Sequence, residues 1–332
     1  MPTFRTAVVT ELLQERTGLQ RVDTDLGRAY ALTRLTGPVS VGDRVVLNTT
    51  AVELGLGTGG WHVVHWNTAR AVFDEPGPGH IMKLRYTSLQ VDVGSTEEHD
   101  PATATDLSGM PVVVGSLHSQ VPGIAAAIHD AAPHARLTYV MTDGAALPIV
   151  ISDLVDAMTR VGLINATITA GHAFGGDLEA VSVPSALALA RHVTHADVTI
   201  VAMGPGVVGT SSPLGTTALE VAAVLDAAAA LGGRPVAVLR MSDGDERERH
   251  RGVSHHTRTA LDLTRSSVLV ASPLLGAYEH PRHDVRVVDG PDVPALLGAM
   301  DLQVTTMGRG PDEDPLFFRA TAAAGALAAS LL

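Results

Sequence analysis

DVTIVAMGPGVVGTSSPLGTTALEVAAVLDAAAALGGRPVAVLR, residues 197–240, decides the fold. It opens and closes on apolar runs of strand length, 197–203 and 235–240, and an Ala- and Leu-rich stretch of helical character lies between them. Strands that are apolar along their whole length belong in a parallel sheet covered on both faces. The same texture runs through the rest of the second part of the chain. Strands are expected at 111–115, 136–141, 164–169, 197–203, 235–240, 266–271 and 284–288, and helical stretches at 121–132, 147–162, 183–193, 213–232, 255–265 and 293–300. This alternation predicts a doubly wound, mostly parallel, Rossmann-like α/β sheet. Gly175-Gly176, within 171–181, is expected to turn a short hairpin. Residues 315–332 form a last helix, expected to pack on the body or on a second subunit.

The first hundred residues read differently. FRTAVVTELL, GLQRV, GRAYAL, GDRVVLNTT and GWHVVHW are short β-branched and apolar segments separated by Gly-containing turns. That spacing predicts a small β-barrel-like domain. A polar stretch without apolar periodicity, 93–110, reads as the linker, which gives domains 1–105 and 106–332.

With 332 residues, 45% hydrophobic and 17% charged, the chain can bury a sizeable core. A formal net charge of −12 argues against a nucleic-acid partner or an anionic membrane surface, both of which need clustered cations. The absence of cysteine excludes disulfides, thiol nucleophiles and Cys-ligated metals. No apolar run approaches the ~20 residues of a membrane span, and the first residues lack a signal-peptide core, so a cytoplasmic protein is expected.

Open parallel sheets bind ligands beyond the carboxyl ends of their strands. The segments just past the expected strand ends supply His118, Asp143, His172 and Asp243 as candidates for acid/base or orienting roles. Gly204, Gly206 and Gly209 fit G-x-G-x-x-G after a strand, with Ser212 as the expected N-cap and Pro213 as the first helical residue. Backbone amides here, with Thr210, Ser211, Ser212, Thr216 and Thr217, are candidates to cradle an anion. The competing reading is a tight corner with no ligand. A dinucleotide site fits less well, because the helix does not open at the third glycine and the next strand ends in Arg240 rather than in an acid. No G-K-[ST] or G-x-S-x-G motif is present.

His250, His255 and His256 lack the helical i, i+4 spacing of a zincin, and Ser254 reads as a helix N-cap, so no metal site is expected there. In the first domain, the glycines at 55, 57, 59 and 60 read as a wide hairpin, or as a loop covering the α/β pocket with Trp61 or His62 as contacts. The lone lysine, Lys83, stands near Arg85.

Five stretches together, LTGPVSVGDRVVLNTTAVELGLGTGG, GHIMKLRYTSLQ, PVVVGSLHSQVP, VMTDGAALP and AFGGDLEAV, resemble a bacterial family of unknown function, domain-of-unknown-function family 3866. The likeness covers nearly the whole chain and implies a recurring two-part unit, without assigning an activity. The reading that results is a small-molecule enzyme holding an anionic, phosphate- or carboxylate-bearing ligand at the strand ends. It carries no assigned cofactor and is open to assembling as a homo-oligomer. A non-catalytic ligand-binding or assembly protein, and an NAD(P)-dependent oxidoreductase, are the alternatives.

Overall fold

The computed structural model describes residues 1–57, 59–99, 104–144 and 148–332. Part of the expected linker, 100–103, lies outside these residues, as do Thr58 of the glycine series and the start of the helical stretch expected from residue 147. The chain forms two compact units, Met1–Gly94 and Ser95–Leu332. The division falls at the near edge of the expected linker. Residues from Ser95 onward already bond to the second unit: Thr96 accepts from the Glu179 amide, and Glu97 accepts from the Val181 amide and the Ser185 hydroxyl.

The first unit is a closed five-stranded barrel. Its strands are β1 (Phe4–Arg16), β2 (Leu19–Thr24), β3 (Ala29–Leu32), β4 (Arg44–Asn48) and β5 (His62–Asn67), joined in the order β1-β2-β3-β5-β4. The alternation read in the sequence puts Ala7, Val9, Val22, Ala29, Ala31, Val45, Leu47 and Val64 inside. Register shifts after Val9 and Leu12 bend the long β1 so that it pairs with β4 at one end and β2 at the other.

The second unit is an eight-stranded, all-parallel sheet. Its strands are β6 (Pro111–Val114), β7 (Leu137–Thr142), β8 (Ala166–Ala170), β9 (Leu178–Ala180), β10 (Val198–Met203), β11 (Arg234–Val238), β12 (Leu269–Ser272) and β13 (Asp284–Val287). Their order is β9-β8-β7-β10-β6-β11-β12-β13. The segment around Gly175-Gly176 is not a hairpin. It loops back and adds β9 as a parallel edge strand, with Ile168 opposite Leu178. Asp177 fixes this return by accepting from both the amide and the hydroxyl of Thr167.

Helices cover both faces. On one, α1 (Val121–Ala131), α2 (Asp153–Arg160), α6 (Val293–Ala299) and α7 (Pro315–Ala329) share a core with Tyr139, Met141 and Ile200. On the other, α3 (Val183–His192), α4 (Glu220–Ala230) and α5 (His255–Leu263) pack on Val112, Val140 and Val201. So β6 and β7 hand the chain to one face, whereas β10, lying between them, hands it to the other. Connections of neighbouring strands part here, which opens the crevice where such sheets hold ligands. Among the described residues no helix is long and apolar enough to cross a membrane.

The final helix packs on the body, against α1. The approach is close enough that a β-carbon on Gly325 would lie 2.6 Å from both the Ala127 Cβ and the Ile124 carbonyl oxygen. A Gly325→Ala change should therefore destabilise by about 1–3 kcal/mol through overpacking. Gly298, in α6 with open space at its β-carbon position, is the contrast. There alanine should be neutral or stabilise by up to ~1 kcal/mol through helix propensity. Urea denaturation of the two variants checks both signs.

Candidate functional site

The carboxyl ends of β6, β7 and β10 carry a buried polar chain. His118 comes after β6 and is 8% exposed. Its Nδ1 lies 3.1 Å from the Tyr139 hydroxyl and its Nε2 2.6 Å from the Ser152 hydroxyl. The Tyr139 hydroxyl in turn donates to the Ala202 carbonyl at 3.2 Å. Ser152 caps α2 by accepting from the Val155 amide at 3.1 Å. One proton arrangement satisfies all of these: His118 Nδ1–H donates to Tyr139, and Ser152 O–H donates to Nε2. Burial holds this neutral ring down to about 4, against a small opposing pull from the Met203 carbonyl.

Tyr139 connects this chain electrostatically to Glu220, the first residue of α4. Burial and then the charge of Glu220 push the Tyr139 phenol well above its usual range. Burial raises Glu220 itself to about 6, a hydrogen bond from the Thr142 hydroxyl opposes that rise, and the charge of Asp143 adds to it. Asp143 accepts the His172 backbone amide at 3.2 Å. His118, Asp143 and the backbone of His172 are thus gathered around Tyr139, Thr142 and Glu220. The sequence reading did not reach Glu220, although an acid opening the helix after a glycine loop was the available signal.

Asp243 belongs to a different cluster. Its carboxylate caps α7 by accepting the Leu316 amide at 3.3 Å, while its own amide donates to Asp314 at 3.1 Å. Around it, beyond β11, three arginines meet two buried carboxylates. Asp245 takes both Nε and Nη2 of Arg247, at 2.9 and 2.8 Å, and pairs with Arg309 at 3.4 Å. Those contacts, led by the hydrogen bond from Arg247, hold the carboxyl far below the usual range. Asp314 takes Arg309 at 3.0 Å. Arg240, 6% exposed, has Asp245 at 3.8 Å as its ion-pair partner. That is too far for a hydrogen bond.

The glycine loop, 204–217, forms a small hairpin of its own, bridged at Gly209 and Thr216. Its donors are largely used internally. Thr217 N–H donates to the Val208 carbonyl and Thr210 N–H to the Gly215 carbonyl. The amides of Val208, Ser212 and Leu214 donate to the hydroxyls of Thr217, Thr210 and Ser212. The turn takes up Ser212 and Pro213, so the helix starts later than expected. Thr216, not Ser212, is the cap, accepting from the Ala218 amide at 3.2 Å, and α4 itself begins at Glu220. Gly204, Gly206, Gly209 and Ser211 lie along this loop. Gly209 lies against α5: a β-carbon there would come within 2.9 Å of His256 Cε1.

Next to the arginine cluster, His250, His255 and His256 come together. One ligand atom from each lies within 4.8 Å of the others. This gathering was not expected from the sequence. It arises because residues 241–242 pair antiparallel with 252–253, folding His250 back over the start of α5. Ser254 precedes α5, as read from the sequence, but its side chain pairs with His250 Nδ1 at 2.8 Å instead of capping the helix. Burial lowers all three rings, His250 to about 3, and the charge of Arg240 adds to this in each case.

In the barrel unit, Trp61 lies between two guanidiniums, Arg28 at 4.8 Å and Arg21 at 5.3 Å from its ring. Lys83 is buried.

A family model for proteins of unknown function, DUF3866, matches residues 28–325. The chain belongs to the DUF3866 family. No curated protein and no solved structure matches it significantly. The match runs from Arg28, within the barrel unit, through nearly all of the sheet unit, and the DUF3866 description assigns no chemistry.

The neutral state of His118 makes a prediction about stability. Its folded-state value lies below the ordinary 6.5, so the unfolded chain binds this proton more readily. Its contribution is complete above pH 6.5, declines as the pH falls, and is gone below about 4. The loss is about 3 kcal/mol. Urea midpoints across this window should fall less steeply in His118→Gln than in the wild type, and parallel curves would refute the assignment.

Proposed function

We propose that this chain is a small-molecule enzyme that binds an anionic, phosphate- or carboxylate-bearing ligand at the carboxyl ends of its parallel strands. Arg240 is the ligand's partner and Glu220 the proton-transfer group. The observation that carries the reading is Arg240: a buried guanidinium just past the end of an interior strand, whose carboxylate partner is already engaged by Arg247. Burial lowers its affinity for a proton to about 10, which leaves it cationic at neutral pH. A buried cation is a strong partner for an oxyanion.

Glu220 supports the catalytic half of the proposal. A carboxyl raised to about 6 exchanges a proton near neutral pH, as a general acid or base must. It also stands where the connections of β7 and β10 part. The dinucleotide alternative has less support, because α4 opens on the Glu220 carboxylate, which repels a pyrophosphate at that helix end.

Thermal-shift and calorimetric screening of phosphate- and carboxylate-bearing metabolites tests the reading. A ligand should raise Tm by mass action, and Arg240→Gln should weaken its binding about 10- to 100-fold. A ligand that binds Arg240→Gln as tightly as the wild type would sink the proposal. Once a turnover assay exists, the limb of kcat/KM near pH 6 should disappear in Glu220→Gln, with binding retained.

A further inference from the structure

We propose that His250, His255 and His256 form a binding site for a first-row transition-metal dication of the zinc type. The first argument is an orphaned pair of atoms. The Nε2 atoms of His255 and His256 are both buried and have no hydrogen-bond partner among the described residues. Each such group is costly to bury if nothing meets it. Two lone pairs left open side by side are what a metal ion would satisfy.

The second argument is geometric. The ring centroids lie 4.0 Å apart for His255 and His256, 5.1 Å for His250 and His255, and 5.3 Å for His250 and His256. Tetrahedral zinc with Zn–N bonds of about 2.0–2.1 Å needs nitrogens about 3.4 Å apart. Ligand atoms that already lie within 4.8 Å reach this by side-chain rotation alone.

The third argument is the surroundings of the rings. A metal-ligating histidine usually engages its other nitrogen with an outer partner, which fixes the tautomer. His250 has Nδ1 on the Ser254 hydroxyl at 2.8 Å, leaving Nε2 free to ligate. His256 presents its Cε1 and Nδ1 edge to the glycine loop: a β-carbon on Gly209 would lie 2.9 and 3.6 Å from those atoms. The backbone of Thr210 and Ser212 offers acceptors to the same ring. That leaves His256 Nε2 pointing away from the loop as the ligand.

Charge selects the ion. Arg240, Arg247 and Arg249 act on these rings and oppose a cation, and Asp245 offsets part of their effect. Three neutral imidazoles with no ligating carboxylate disfavour calcium and magnesium, which take oxygen donors, and suit zinc, copper or nickel. Three protein ligands also leave a coordination position open, as catalytic zinc sites do. The metal site does not rest on the anionic-ligand reading, and each can fail alone.

The test uses the full chain without a polyhistidine tag. Titration with Co2+, followed by its d–d absorption, and calorimetry with Zn2+ should each give one ion per chain. His255→Ala and His256→Ala should abolish saturable binding, and Ser254→Ala should weaken it about 10- to 100-fold. His280→Ala, in the separate stacked pair with His283, should bind as the wild type does. Circular dichroism and Tm establish that each variant folds. His255 is only partly buried, so His255→Ala carries the test if His250 or His256 variants unfold. Absence of one-to-one binding in the wild type, or unchanged binding in folded His255→Ala, overturns the proposal.

Discussion

Two carboxylates, Asp245 and Asp314, lie almost out of solvent beyond the carboxyl end of β11, and the need to match their charge organises that end of the sheet. Removing the partner of such a group costs about 3–5 kcal/mol, because the charge is then buried alone. Ser242 ties the two together: its hydroxyl donates to Asp314 at 2.7 Å and accepts the Asp245 amide at 2.9 Å. Arg309 spans the same pair from a distant part of the chain. The start of α7, the short hairpin after β11 and the 306–314 segment are thereby locked to one another. His250 has its place over α5 because the hairpin does. The histidine cluster is thus a consequence of a charge-pairing problem solved next to it.

The glycine-rich loop spends many of its hydrogen-bonding groups on itself. Small residues and hydroxyls after a strand suggest donors waiting for an anion. Here Thr210, Ser212, Thr216 and Thr217 accept from amides of the loop and of Ala218 just after it, which pairs many of the backbone groups of a tight surface hairpin. Gly209 does need to be small, but the close approach is to an imidazole, not to a phosphate.

The architecture was legible because it rests on local signals. Continuous apolar runs such as 198–203 report burial on two faces, and short β-branched and apolar segments between glycine turns, such as 44–48, mark the barrel strands. The edge strand 178–180 was not legible. Its two glycines permit a hairpin as readily as a return loop, and the choice is made by the bonds between Asp177 and Thr167, which no local pattern encodes. The candidate site divides the same way. His118 and Asp143 could be found by reading strand ends. Glu220 and Arg240 could not be ranked, because what distinguishes them is burial beside particular neighbours. Arg240 had counted only as an argument against a nucleotide acid.

The glycine loop also links the two chemical clusters mechanically. At one end it lies on His256, and at the other it runs directly into Glu220, whose carboxylate is bonded to Thr142. Internal bonds tie Val208 to Thr216 and Thr217 across it. Displacing it would take the backbone acceptors away from His256 and shift the first turn of α4 in the same motion. The same short segment therefore touches the histidines after β11 and leads into the acid between β7 and β10.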